Sequence, residues 1–185
     1  MAFGIGTQDK EVTPVGLIGR GLLAGAAGTA VMTVAQTRAI PHRLFEKLPS
    51  VYTPAKPRYP DEAEAKDEPA TEVAARRFVE GVAHRPLRGK AKTWAGHLVH
   101  YGTGAVFGAL YALCAPRHTR LWEGLLFGTA VWMFNDNLLV PAMRIADWPR
   151  RYPLGAHVKA LVAHLVYGGG TALALRRSLK NRRLH

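Results

Sequence analysis

The chain has 185 residues, with 25 Lys and Arg against 13 Asp and Glu and a formal net charge of +12. That length suits one domain, and the positive charge suits anionic lipid headgroups or nucleic acid. No zinc-finger spacing, RNA-binding aromatic motif or long basic helix occurs, so nucleic acid is not an expected partner. A single cysteine, Cys114, excludes an internal disulfide and any multi-cysteine metal site; lying in an apolar run, it reads as a buried, inert thiol.

In chain order, the first apolar segment is GLIGRGLLAGAAGTAVMTVAQT, residues 16–37, uncharged after Arg20. A basic residue, an apolar core and small residues also describe a secretory signal, but three later apolar segments favour a first membrane span. A polar connector over residues 38–92 follows. Its first part, PHRLFEKLPSVYTPAKPRYP, is crowded with proline and is expected to be extended and irregular. The acidic stretch DEAEAKDEPATE is expected to be exposed. From Thr71 to Val82 the spacing of Ala75, Phe78, Val79 and Val82 predicts one face of an amphipathic helix, lying on the membrane surface or packed on another helix.

The next segment, TWAGHLVHYGTGAVFGALYALCAP, holds no Asp, Glu, Lys or Arg. About 20 apolar residues at 1.5 Å each cross the ~30 Å hydrocarbon layer, so a second span is expected over residues 94–115. A tight basic turn, PRHTR, leads to a third over residues 121–141 and, after the loop RIADWPRRYPLG, a fourth over residues 156–175 with Lys159 snorkelling in its first turns. The expected fold is all-α: a four-helix transmembrane bundle in one membrane domain, with a long polar loop between helices one and two. A soluble four-helix bundle is the alternative. It should show a wide charged face on each helix, which residues 93–116 lack.

GLLAG at Gly21–Gly25 recurs as GLLFG at Gly124–Gly128, and HLV at His97–Val99 recurs at His164–Val166. This order suggests two duplicated helical hairpins related by a parallel repeat. GxxxG pairs occur at Gly21/Gly25, Gly104/Gly108 and Gly124/Gly128. Small residues let helix backbones approach closely in lipid, so packing is their expected role.

In a four-span topology the polar residues His97, His100, Asn135, Asp136, Asn137 and His164 meet in one leaflet, with Gln36 and Arg38 at the same end. Ionisable groups in a membrane are costly and tend to mark relays, pathways or ligands. An Asp–His pair could pass a proton, two or three imidazoles with a carboxylate could bind a transition metal, and His97 with His164 could ligate a haem. The plainer reading is that they hydrogen-bond one another at helix interfaces. No spacing is a metal signature, and no cofactor is expected.

From Leu121 to Arg182, LWEGLLFG…VPAMRI…P…HLV…RRSLKNR resembles the C-terminal half of the YagU-like bacterial inner-membrane proteins, and TWAGHLVHYGTGAVFGALYA is similar to their preceding span. The resemblance hardly touches residues 41–92, and Asp136 stands where the relative has a histidine. It implies a multi-span protein of the bacterial inner membrane, with a link to acid tolerance and no established activity. The leading expectation is a small, non-enzymatic scaffold or accessory subunit. The alternatives are a proton- or ion-handling protein using the Asp/His cluster, and a haem- or metal-binding one. Expected partners are the bilayer with its anionic headgroups, other membrane proteins, or a second copy. The long connector holds more Lys and Arg in total, but the basic run directly after the last span favours cytoplasmic termini.

Overall fold

A computed structural model describes residues 13–39, 68–115 and 120–180, and among them every regular element is helical. The Pro-rich part of the connector and the turn at residues 116–119 lie outside these described residues. Helix α1 spans Pro14–Val34 and continues as a π-helical segment, Ala35–Ala39. Pro14 suits the first helical position, and the Thr13 hydroxyl caps the end by accepting the Gly16 N–H at 3.2 Å. Helix α2 spans Ala70–Ala83 and α3 spans Gly89–Cys114. Between them His84 (φ 55°) and Gly89 (φ 57°) take left-handed backbone, which lets the chain reverse in a short link.

Helix α4, Leu121–Val131, opens on a capping box in which Glu123 accepts the Arg120 N–H at 2.8 Å. It widens into a π-helical segment, Trp132–Leu139, and closes with the turn Val140–Ala142. The cause lies in Pro141, which has no N–H and whose ring clashes with the carbonyl four residues back in an α-helix. Wider i→i+5 bonding relieves this: the Val140 N–H bonds to the Asn135 carbonyl and the Asn137 side chain donates to the Trp132 carbonyl at 2.9 Å. A short 3₁₀ turn, Pro149–Arg151, precedes the last helix, α5, Leu154–Lys180.

Helix α1 packs along both α3 and α5, α4 packs on α5, and α2 lies on α3. The α1–α3 and α4–α5 contacts are glycine crossings. A Cβ at Gly21 would sit 2.6 Å from the Ala109 Cα, and one at Gly25 would sit 2.9 Å from the Gly108 Cα. On the other pair, a Cβ at Gly124 would fall 2.6 Å from the Gly168 carbonyl, and one at Gly128 would meet the His164 backbone. Each GLLxG helix is thus laid against its HLV helix by bare backbone. The registers differ from the sequence match, however. Gly25 meets Gly104 and Gly108, whereas Gly128 meets His164 and Gly168. The second HLV motif therefore sits about two turns deeper in its crossing than the first.

Among the described residues two helices are long and apolar enough to cross a membrane, Pro14–Arg38 and Leu154–Lys180. The expected spans over residues 94–115 and 121–141 are helical, but they do not reach that standard. Two histidines and several glycines dilute residues 94–115, and the Asn135–Asn137 run and the π-helical break divide α4. Three further expectations need correction. Cys114 is exposed, because it ends α3 on an outward face. On α2 the expected face is divided: Ala75 is buried together with Val73, whereas Phe78 and Val82 are exposed. Glu68 and Glu72, expected to be solvent-facing, are held by cations: Glu68 lies 3.3 Å from Lys92 and 3.6 Å from Arg76, and Glu72 lies 3.5 Å from Lys92.

Candidate functional site: a polar cluster at one end of the bundle

The antiparallel lay of α1 on α5 sets which groups meet. At one end Arg20 of α1 donates to the backbone carbonyl of Ser178 on α5 and, at 3.1 Å, to its hydroxyl. At the opposite end lie the close of α1, the starts of α3 and α5, and the π-helical segment that follows α4. There the Asp136 Oδ2 comes within 3.7 Å of the His164 Nδ1. The same Nδ1 is 2.9 Å from the Ala160 carbonyl, so it serves as the donor to its own helix. Asn135 donates to Asp136 Oδ1 at 2.9 Å, which holds the carboxylate in place. His164 is only 8% exposed, while the Asp136 side chain is 34% exposed, so the pair spans the boundary between core and surface.

His100 joins the cluster from α3. Its Nε2 pairs with the Thr33 hydroxyl of α1 at 3.3 Å, and it lies within electrostatic reach of His164, His97 and Asp136. His97 stands apart. It is exposed and meets Trp94 edge-on with ring centroids 6.1 Å apart. Asn137 is spent on its own backbone through the Trp132 carbonyl. Of the six polar residues expected to gather, Asp136, His164, Asn135 and His100 are brought together, Asn137 serves the π turn, and His97 lies on the outside. Among the described residues no three His, Cys, Asp or Glu side chains converge as metal ligands. His97 and His164 also occupy unlike positions, one exposed and one packed on α4, which leaves the haem reading without a matched ligand pair.

The structure adds polar groups that spacing did not single out. Tyr167 donates its buried hydroxyl to the Gly104 carbonyl of α3 at 2.7 Å. Thr29 and Thr171, 1% and 0% exposed, each bond back to the carbonyl four residues earlier, Gly25 and Tyr167. Gly28 stands against Thr171 and the Tyr167 carbonyl. The sequence signal was present: Gly28 lies three residues after Gly25, and Tyr167 just precedes the GGG run. Aromatic contacts bridge the two halves, with the Phe127 ring 4.6 Å from Tyr111 and 5.9 Å from Tyr167, centroid to centroid. Arg77 of α2 donates to the Arg144 carbonyl at 2.6 Å, tying α2 to the loop after α4.

Residues 57–172 match the model of a family described as proteins of unknown function, DUF1440. The chain belongs to that family. The match includes the later part of the connector, which the sequence resemblance hardly covered; α2, which buries Val73 and packs on α3, lies within it. Neither the curated proteins nor the solved structures contain a match.

Proposed function

We propose that this protein is an integral membrane bundle in which α1, α3, α4 and α5 all cross the bilayer as one domain, and that it acts as a small scaffold or accessory subunit. The observation that carries this reading is an inverted distribution of side chains. The buried positions are mostly Gly, Ala and Thr, while Leu23 and Leu98 are each 75% exposed and Leu126 is 60% exposed, with Val106 and Phe134 also outside. A water-soluble bundle buries its leucines, and an apolar exterior this extensive suits hydrocarbon. Helices gain little from hydrophobic burial in lipid, so close glycine contacts must hold them. The resemblance to YagU-like proteins supports a bacterial inner membrane, and the basic run after α5 supports cytoplasmic termini. The two glycine crossings support an ancestral hairpin duplication, with the register of the second half displaced.

The test is fractionation of cells expressing the full chain. It should remain with the membrane pellet through alkaline carbonate washing and enter solution only with detergent. Recovery in the carbonate supernatant would overturn the reading.

A second reading, proton or ion handling, is favoured by the contact between Asp136 and His164 at the edge of the core. A carboxylate beside an imidazole can hold and pass a proton. Purified protein in sealed vesicles would then show a pH-dependent flux that Asp136→Asn abolishes. On the scaffold reading wild type gives no flux, and His164→Ala lowers the yield of folded bundle.

A further inference from the structure

On the face away from α3, α1 and α4 each pack on α5 without forming an extensive contact with one another. Between them lies a groove of about 530 Å³, floored by α5 at Gly169 and Gly170 and walled by Val31 of α1 and by Leu121 and Leu125 of α4. Among the described residues in its lining, Arg177 is the one charged side chain. Val166, Gly170, Leu173 and Arg177 follow one another at spacings of four, three and four, so they share one face of α5. From Val162 to Arg177 the groove follows α5 for about 22 Å, enough to cover one leaflet of roughly 15 Å.

The floor is deeper than the fold requires. At Gly168 a Cβ would meet the Gly128 Cα at 2.8 Å, so a side chain there would force α4 away. At Gly169 a Cβ would meet nothing closer than Leu121 at 3.5 Å and Leu125 at 3.7 Å, ordinary van der Waals distances. Internal packing therefore demands glycine at 168 and leaves room for a Cβ at 169.

We propose that this groove holds one acyl chain of an anionic phospholipid, with Arg177 meeting its phosphate. The proposal rests on the membrane reading given above. Charge decides the occupant. The groove is apolar along its length and cationic at one mouth, as a single chain with an anionic headgroup is apolar along its length and negative at one end. Arg177 makes no ion pair among the described residues. Arginine in the last turns of a spanning helix sits where a phosphate layer lies.

The experiment is native mass spectrometry of the purified full chain after detergent exchange, with equal phosphatidylglycerol and phosphatidylcholine supplied. Wild type should retain phosphatidylglycerol at least tenfold over phosphatidylcholine. Gly169→Leu should fill the groove and lower retention of both lipids at least tenfold, with helix content and thermal midpoint unchanged. Arg177→Gln, outside the packed core, should equalise the two lipids while leaving the acyl chain bound. Equal retention of the two lipids by wild type overturns the proposal. So does retention by Gly169→Leu at the wild-type level, or a dimer-to-monomer change in Gly169→Leu without loss of lipid. Failure of the membrane reading looks different: the protein would then be recovered from carbonate washing without detergent, before any lipid is measured.

Discussion

Gly25 shows most directly how single atoms set this fold. Any Cβ there would fall 2.9 Å from the Gly108 Cα and nearer still to the Gly104 carbonyl, all of it backbone that cannot turn aside. Overpacking of this kind costs about 1–3 kcal/mol when neighbours can adjust, and more when both sides are main chain. Gly25→Leu should therefore part α1 from α3, seen as loss of the monodisperse peak in detergent gel filtration and a lowered thermal midpoint. Gly102→Leu on α3, the other helix of the crossing, should leave both unchanged, since a Cβ there meets nothing within 4 Å. If Gly102→Leu proved as damaging as Gly25→Leu, the loss would not be specific to the crossing, which would lose its special standing, since leucine by itself favours helix over glycine. Tyr167 offers a smaller effect of known sign. Tyr167→Phe removes the bond to the Gly104 carbonyl, which keeps its own helical partner, a cost of about 1 kcal/mol, measurable as a modest fall in the same thermal midpoint.

At the scale of elements, the helices, their glycine contacts and the end at which the polar groups gather were legible in the sequence. Composition and spacing carry those features without knowledge of tertiary distance. His97 lies outside the cluster, and Phe78 and Val82 stand exposed while Ala75 of their stripe is buried, because periodicity identifies a stripe but not which part of it finds a neighbour. On α2 the neighbour was chosen by charge as well as by Val73. Lys92 reaches Glu68 and Glu72, and Arg76 reaches Glu68 and Glu80, so the helix is turned to bring its acids over α3. The π-helical segments were not legible either, since the bonding pattern around Pro141 depends on how the following turn is held. Surface ion pairs contribute at most about 1 kcal/mol each, but these are part-buried, and Lys92→Glu would replace two attractions with two repulsions. The expected result is several-fold faster proteolytic cleavage in the connector at low salt. Adding Glu72→Lys should restore much of the protection, because the exchanged charges can pair again. Equal protection in Lys92→Glu and wild type would mean that Val73 alone seats α2.

For the whole molecule, one residue can report orientation, and its exposure makes it usable. Cys114 is the sole cysteine, it is exposed, and it closes α3 at the end where α1 begins and α5 finishes. An exposed thiol at a helix end is open to a water-soluble maleimide wherever that end reaches the aqueous phase, and a charged reagent does not cross an intact bilayer. If the basic run after α5 governs insertion, the termini and Cys114 share the cytoplasmic side. Intact cells treated with the impermeant reagent should then leave Cys114 unlabelled, and the same reagent should label it after permeabilisation. A cysteine placed by Ala146→Cys, in the loop after α4 at the opposite end, should behave in the reverse sense in a Cys114→Ser background. The paired pattern matters more than either arm. Both sites labelled in intact cells would mean that the two ends share one side, which four crossings by α1, α3, α4 and α5 forbid. Labelling of Cys114 alone in intact cells would keep the four crossings and invert them, placing the Asp136–His164 cluster toward the cytoplasm.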